Sequence, residues 1–260
     1  MISKLATTPY DKVWGSPRTE PWLANPAGRK IGEIWFAASA EVPLLLKLLF
    51  TSECLSVQVH PNDDYAREHE NSRGKTEMWH ILRADPGAEV ALGLRERLSR
   101  ERLREASLSG EIETLLNWVP ARKGDTFFVP AGTIHAIGGG LVLCEVQQLS
   151  DVTYRLYDYG RPRELHLDRG MDVSDTTPRN CDSSSTLPVE CEYFRTERVP
   201  VTGVVRCAPR KKNTLYVALE GEGCIGSEPF RAGDAWEITA GSEPFQIESS
   251  GAAFLVTSEP

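Results

Sequence analysis

The fold is decided by residues 123–138, which read KGDTFFVPAGTIHAIG. Within this stretch, a glycine precedes and a proline follows the apolar run Phe127–Val129, so the run predicts a short buried strand that ends in a turn. His135 follows that turn. A shorter echo, GDAWEITAG, recurs at residues 233–241 and suggests that the chain holds two related β-blocks.

The rest of the chain consists mostly of short apolar runs broken by Gly and Pro, a pattern typical of a β-sandwich or barrel. The strands predicted before residue 172 are Ile31–Ser39, Leu44–Phe50, Leu55–His60, Thr76–Leu82, Val90–Leu92, Thr126–Val129 and Leu141–Gln148. Those predicted after residue 190 are Tyr193–Val199, Leu215–Glu220, Gly223–Ile225, Asp234–Ile238 and Ala253–Thr257. Leucines at helical spacing among charged residues predict a helical insert at about 94–118, divided at Ser109.

The chain is expected to fold as two β-domains. Residues 173–190 are rich in Ser, Thr, Asp and Pro, which predicts a linker. We expect a metal-binding catalytic domain at 1–172 and a smaller β-domain at 191–260. The smaller domain contains no histidine, so we expect it to lack metal ligands and chemistry of its own.

The composition is that of an ordinary globular protein, with 40% hydrophobic and 25% charged residues. A net charge of -8 argues against a nucleic-acid partner but allows a small anionic substrate beside a local basic cluster. The first residues lack a continuous apolar core, so we expect no signal peptide, and no apolar run approaches the roughly 18 residues that a membrane helix needs. Six cysteines without a CxxC pair indicate free thiols, so we expect a cytoplasmic protein without a membrane partner.

Two pairs of polar residues are spaced for one face of a strand. Gln58 and His60 are two residues apart, as are Lys75 and Glu77, so each pair shares a face. If the strands curl into a barrel with these faces inward, Gln58, His60, Glu77 and His135 converge. Their nitrogen and oxygen donors suit a divalent ion, with zinc the leading choice and manganese, iron, cobalt or nickel as alternatives.

The spacing Gly124-x5-Pro130-x-Gly132-x2-His135 resembles the second motif of the cupin proteins. The first cupin motif is altered, because Gln58 stands in place of its first histidine and Glu77 lies beyond a loop. These departures, together with QVHP (58–61), GKTEMW (74–79) and EVQQLSDVTYRLYDYGRPRELH (145–166), resemble type I phosphomannose isomerases of the short bacterial form. The resemblance covers most of residues 10–172.

This resemblance implies a cupin jelly-roll barrel followed by a smaller, degenerate cupin-like domain. It implies the interconversion of mannose 6-phosphate and fructose 6-phosphate through an enediol, with a sugar phosphate as the partner, in a monomer or a homodimer. The zinc ligands it implies are Gln58, His60, Glu77 and His135. The residues it implies for catalysis are Lys75 and Arg155, and those for substrate binding are Trp14, Lys75 and Arg155. His80 stands where tyrosine is common in the family.

Several alternatives stay open at this stage. The base that moves the proton is either Lys75, whose pKa a nearby cation and partial burial lower, or a hydroxide on the metal. Arg161 and Arg163 are expected on the surface or behind the residues that touch the substrate. Two other functions fit the ligand types, namely another metal cupin enzyme such as a dioxygenase and a non-catalytic cupin that binds a sugar phosphate.

Overall fold

The computed structural model of the chain describes residues 1–179 and 186–260, and it is mainly β. The strands up to residue 179 are β1 (Ile2–Lys4), β2 (Ala6–Ser16), β3 (Ile31–Ala37), β4 (Leu44–Phe50), β5 (Val57–Val59), β6 (Glu77–Ala84), β7 (Glu89–Leu94), β8 (Leu116–Pro120), β9 (Thr126–Val129), β10 (His135–Ile137), β11 (Leu141–Gln148) and β12 (Tyr154–Tyr157). Those from residue 186 onward are β13 (Val189–Glu190), β14 (Arg195–Cys207), β15 (Thr214–Glu220), β16 (Glu222–Ile225), β17 (Glu228–Arg231), β18 (Ala235–Ile238) and β19 (Phe245–Ser258). The helices are α1 (Asp63–Glu70), α2 (Arg100–Ser109), α3 (Ile112–Leu115) and α4 (Leu167–Val173).

Two antiparallel sheets form the barrel. One has the strand order β2-β3-β4-β11-β6-β9 and the other the order β12-β5-β10-β7-β8. Trp79 and Leu143 from the first sheet share a core cluster with Val90 and Ile137 from the second, so the two inner faces pack on each other. The predicted cupin-type barrel is thereby confirmed.

A third sheet packs against the outer face of the barrel. It contains β13 to β19, in which the long strands β14 and β19 pair along most of their length. Leu46 and Phe36 of the barrel share one core cluster with Val217 and Leu255 of this sheet. The strand β4 is therefore buried along both faces, which explains why its sequence is almost wholly apolar.

The start of the chain belongs to this third sheet. The sequence placed residue 1 onward in the catalytic domain, but Ile2–Lys4 pairs with Ala235–Ile238. The chain then enters the barrel through β2, a partly exposed edge strand. The sequence of β2 is largely polar and exposed, so no apolar run predicted a strand there.

The helical insert is shorter than predicted. It is divided where expected, because Gly110 ends α2 in the left-handed conformation at φ 82°. Its flanks, however, are the strands β7 and β8 rather than helix. Residues 180–185 of the predicted linker lie outside the described residues. Among the described helices, none combines the length and the apolar character needed to cross a bilayer.

Candidate metal centre and substrate cavity

Strands from both barrel sheets position the predicted ligands. In the second barrel sheet, β5 lies between β10 and β12, and His135 stands directly opposite Gln58. His60 follows β5 at once, and Glu77 is the first residue of β6 in the facing sheet. The predicted ligands therefore lie on both walls of the barrel, as the inward-facing pattern of the sequence predicted.

His60, Glu77 and His135 form a buried cluster. One ligand atom from each residue lies within 4.8 Å of the other two. The carboxylate of Glu77 lies between the rings, with Oε2 3.5 Å from His60 Nε2 and Oε1 3.4 Å from His135 Nε2. Gln58 lines the adjoining cavity.

Backbone carbonyls orient both imidazole rings. Nδ1 of His60 donates to the carbonyl of Val152 at 2.9 Å, and Nδ1 of His135 donates to that of Thr133 at 2.8 Å. Each ring therefore keeps a lone pair on Nε2 and directs it toward Glu77. Burial lowers the pKa of both histidines, that of His135 to about 4, so both are neutral at pH 7.

The donor set fits a divalent metal ion. Nε2 of His135 is fully buried and has no hydrogen-bond partner among the described residues, which is costly unless another group occupies the space in front of it. Two neutral imidazoles and a carboxylate are ligands that zinc and similar ions accept. This cluster can therefore hold a divalent ion.

Lys75 neutralises the carboxylate of Glu77 in this structure. Its ammonium group donates to Glu77 Oε2 and lies 3.1 Å from His60 Nε2. Burial acts to lower the pKa of Lys75, but the carboxylates of Glu77 and Glu145 outweigh it, so that the pKa is raised. The lowered pKa predicted from the sequence is that of Lys75 beside a bound cation, whereas the raised pKa here reflects the charges of Glu77 and Glu145 alone.

A row of buried polar residues that the sequence did not predict extends from Glu77. The indole N–H of Trp79 donates to Glu77 Oε1 and to Glu145 Oε2, each at 3.1 Å. Lys47 Nζ lies 3.3 Å from Glu145 Oε1 and 4.7 Å from the centroid of the Trp35 ring. The cross-strand register causes this row, because Glu145 stands opposite Lys47 on one side and Trp79 on the other.

Lys47 and Glu145 form a buried ion pair. Burial raises the pKa of Glu145, but the ammonium groups of Lys75 and Lys47 outweigh it, and the net shift is downward. The carboxylate is therefore ionised at neutral pH. The signal in the sequence was a single lysine inside the apolar strand β4, which reads LLLKLLF.

The substrate residues predicted from the sequence all line one cavity beside the cluster. This cavity has a volume of about 320 Å³ and is lined by Trp14, Lys75 and Arg155, among others. Trp14 is buried, with 3% of its surface exposed. Arg155 lies on β12 directly opposite Gln58, and its Nη1 donates to the carbonyl of Glu164 at 2.7 Å.

A second and larger cavity contains His80. It has a volume of about 1480 Å³ and lies between the barrel and the third sheet, with Leu82 and Leu219 on opposite walls. The ring of His80 bonds to Thr126 Oγ1 at 2.9 Å through Nδ1 and faces away from Glu77, as its spacing predicted. Among residues 1–179 and 186–260, the only group of three or more ligand-type residues that could hold a metal ion is His60, Glu77 and His135, beside the smaller cavity.

Comparison with known proteins yields close relatives. A mannose-6-phosphate isomerase of Streptococcus mutans is 39% identical over 215 residues, which cover 75% of this chain and 68% of that protein. The mannose-6-phosphate isomerase ManA of Bacillus subtilis is 39% identical over 227 residues, covering 79% and 72% of the two chains. No protein-family model matches the chain.

A solved structure is similar over the whole length. The crystal structure of a mannose 6-phosphate isomerase from Bacillus subtilis superposes with a TM-score of 0.86 at 28% identity. The superposition covers 98% of this chain and 99% of that one. Barrel and third sheet are therefore both shared with that protein.

The metal assignment predicts the behaviour of two histidine variants. We expect His135→Ala to lower the metal content of the purified protein by at least about tenfold, because losing even an indirect partner of a ligand costs ten- to a hundredfold in affinity. His80→Ala is the matched control and should keep its metal, since His80 lies on the opposite face of β6. Plasma emission spectrometry measures the metal per chain. Equal metal content in the two variants would contradict the assignment.

The buried row predicts a difference between two lysine variants. We expect Lys47→Met to lower the free energy of unfolding by about 3 kcal/mol, because it removes the ion-pair partner at 3.3 Å from a buried carboxylate and leaves Glu145 with only the charge of Lys75 and the indole of Trp79. Lys12→Met removes the more exposed pair with Glu33 and should cost no more than about 1 kcal/mol. Urea unfolding measures both values. A Lys47→Met variant as stable as Lys12→Met would show that Glu145 does not need its partner.

Proposed function

We propose that the protein interconverts mannose 6-phosphate and fructose 6-phosphate. The premise is that the chain belongs to the mannose-6-phosphate isomerase family. The observation that carries this proposal is the buried His60–Glu77–His135 cluster beside a cavity with lysine and arginine in its walls. A sugar phosphate needs both features, since the cluster can hold a cation beside the reacting carbons and the basic walls attract an anion.

We propose zinc as the resident ion, with Gln58 as a fourth ligand next to His60, Glu77 and His135. Zinc suits a set of imidazole, carboxylate and amide donors that leaves room for a substrate. When bound, a divalent ion polarises the substrate oxygens and stabilises the negative charge that develops on them during enolisation.

The protein side chains have separate tasks in this proposal. The ammonium group of Lys75 lines the cavity, where it can donate a hydrogen bond to a substrate oxygen. Arg155 stays protonated throughout, so it can hold an anionic oxygen but cannot serve as the base. Trp14 closes one wall of the cavity and keeps water away from the reacting carbons.

The other parts of the chain support this site. We propose that residues 1–172, apart from β1, form the catalytic domain and that residues 191–260 stabilise it by covering the outer face of β4. We also propose a cytoplasmic location, because Cys54, Cys144, Cys191, Cys207 and Cys224 are free thiols.

A coupled assay tests the proposed reaction. Protein stripped of metal is supplied with mannose 6-phosphate, and the formation of fructose 6-phosphate is followed with and without added zinc. We expect turnover with zinc and only the enzyme-free rate without a divalent ion. Equal turnover in stripped protein would contradict the metal dependence. The absence of turnover with zinc, manganese, cobalt and iron would exclude this reaction, and oxygen uptake with iron would then favour a dioxygenase.

A further inference from the structure

The turn that leads to His135 crosses from one sheet of the barrel to the other. It begins after β9 in the first sheet and ends at β10 in the second. Its backbone groups lie between the two strand ladders, so they need other hydrogen-bond partners. The N–H of Gly132 donates to the carbonyl of His60 at 2.8 Å, and the carbonyl of Gly132 accepts from the N–H of Asp175 at 2.8 Å. The turn is therefore held between a metal ligand and a segment that follows α4.

That segment, residues 174–179, is here called the strap. It belongs to the predicted linker, but it lies along the barrel. Pro178 forms a parallel bridge with Leu94, and the backbone N–H of Arg179 donates to the carbonyl of Leu94 at 3.0 Å. Leu94 is the last residue of β7, the strand that pairs with β10. The strap is thereby anchored to the neighbour of the strand on which His135 stands.

The side chain of Arg179 spans the turn. Its Nη1 donates to Thr133 Oγ1 at 2.8 Å, and its Nη2 donates to the carbonyl of Phe128 at 3.0 Å. Phe128 lies on β9 and Thr133 lies two residues before His135, so the guanidinium group joins both ends of the turn. The stem of Arg179 packs over Gly93, where an added Cβ would lie 2.6 Å from the Cβ of Arg179. Only a planar fork of donors can hold two acceptors in this fixed geometry.

Thr133 connects Arg179 with the metal ligand. Its hydroxyl accepts the hydrogen bond from Arg179, and its backbone carbonyl accepts the one from Nδ1 of His135 at 2.8 Å. Thr133 is buried. The orientation of the imidazole ring therefore depends on where this carbonyl is held. Groups that orient a metal ligand from behind change metal affinity by about ten- to a hundredfold when they are removed.

We propose that the strap is part of the metal centre and that Arg179 is the positioning residue for His135. The proposal rests on the metal centre of the proposed function and extends it to a segment that follows residues 1–172. Arg179 acts through geometry and against its own charge, because a positive charge near the cluster repels a cation. Its two possible effects on metal binding therefore have opposite signs.

The opposite signs make zinc affinity a sharp test. The dissociation constant is measured by competition with a chelator for the wild type, Arg179→Met and Arg83→Met. Arg83 is the matched control, because its guanidinium also donates to two carbonyls, those of Arg18 and Glu20. We expect Arg179→Met to bind zinc at least about tenfold more weakly and Arg83→Met to bind it as the wild type does. Equal or tighter binding by Arg179→Met would overturn the proposal.

Two further variants separate the fork from the charge. Arg179→Lys keeps the charge but cannot hold both acceptors, so it should bind zinc about as weakly as Arg179→Met. Thr133→Val removes the acceptor and keeps the carbonyl that binds His135. Combined with Arg179→Met, it should cost little beyond the single change, because both act through one hydrogen bond. Wild-type affinity in Arg179→Lys, or fully additive losses in the double variant, would contradict positioning through Thr133.

A measurement on the metal-free protein separates this proposal from the proposed function. Histidines are labelled with nitrogen-15, and the Nδ1–H proton of His135 is identified by its loss in His135→Ala. We expect this proton to exchange with solvent faster in Arg179→Met than in the wild type and Arg83→Met. If the wild type binds no zinc, the proposed metal centre fails, but faster exchange in Arg179→Met alone still supports the positioning role. Unchanged exchange would overturn that role even in a protein that binds zinc.

Discussion

A carboxylate buried inside a β-barrel is the constraint on which the rest of this site depends. Glu77 has no exposed surface, and an unpaired charge in that position would cost several kcal/mol. The protein surrounds it with Lys75, with the indole of Trp79 and with two neutral imidazoles whose Nε2 atoms point toward it. The imidazoles are a neutral, preoriented pair with a lone pair on each Nε2, which makes the cluster suitable for a metal cation.

The register of the strands brings these partners together. Lys75, Glu77 and Trp79 are spaced two apart, so they reach the same side of the chain at the start of β6. Glu145 and Lys47 follow across β11 and β4, opposite Trp79 and each other. A slip of one residue in any of these strands would turn the charges toward the outer face of the sheet, where β4 packs against the third sheet. The polar row and the apolar core on the other face therefore fix the same register.

The sequence predicted the parts of the site that depend on spacing within one strand. The pairs Gln58 with His60 and Lys75 with Glu77 required only a period of two, and the turn before His135 was marked by Pro and Gly. The row through Glu145 and Lys47 depends on the register between neighbouring strands. The binding of Arg161 and Arg163 to Asp158 depends on the turn after β12. The periodicity of a single strand predicts neither the register nor the turn.

Similar reasons explain the differences in the fold. The edge strand β2 is largely polar, so no apolar run marked it. The strand β1 crosses to the third sheet, and a three-residue segment carries no signal for its partner. The helix α1 lies within the segment between His60 and Glu77 that was predicted to be a loop. Its N-cap is Asn62, whose side chain accepts a hydrogen bond from the backbone N–H of Tyr65. Only Ala66 of this helix is buried, so no apolar stripe in the sequence marks it.

The central claim is that the buried carboxylate and the two imidazoles form a metal centre. The most direct measurement is an anomalous difference map from crystals of the zinc-loaded protein, recorded on both sides of the zinc absorption edge. The account predicts one strong peak within bonding distance of Nε2 of His60, Nε2 of His135 and an oxygen of Glu77. A map without a peak there, or with its strongest peak beside His80 in the larger cavity, would contradict it.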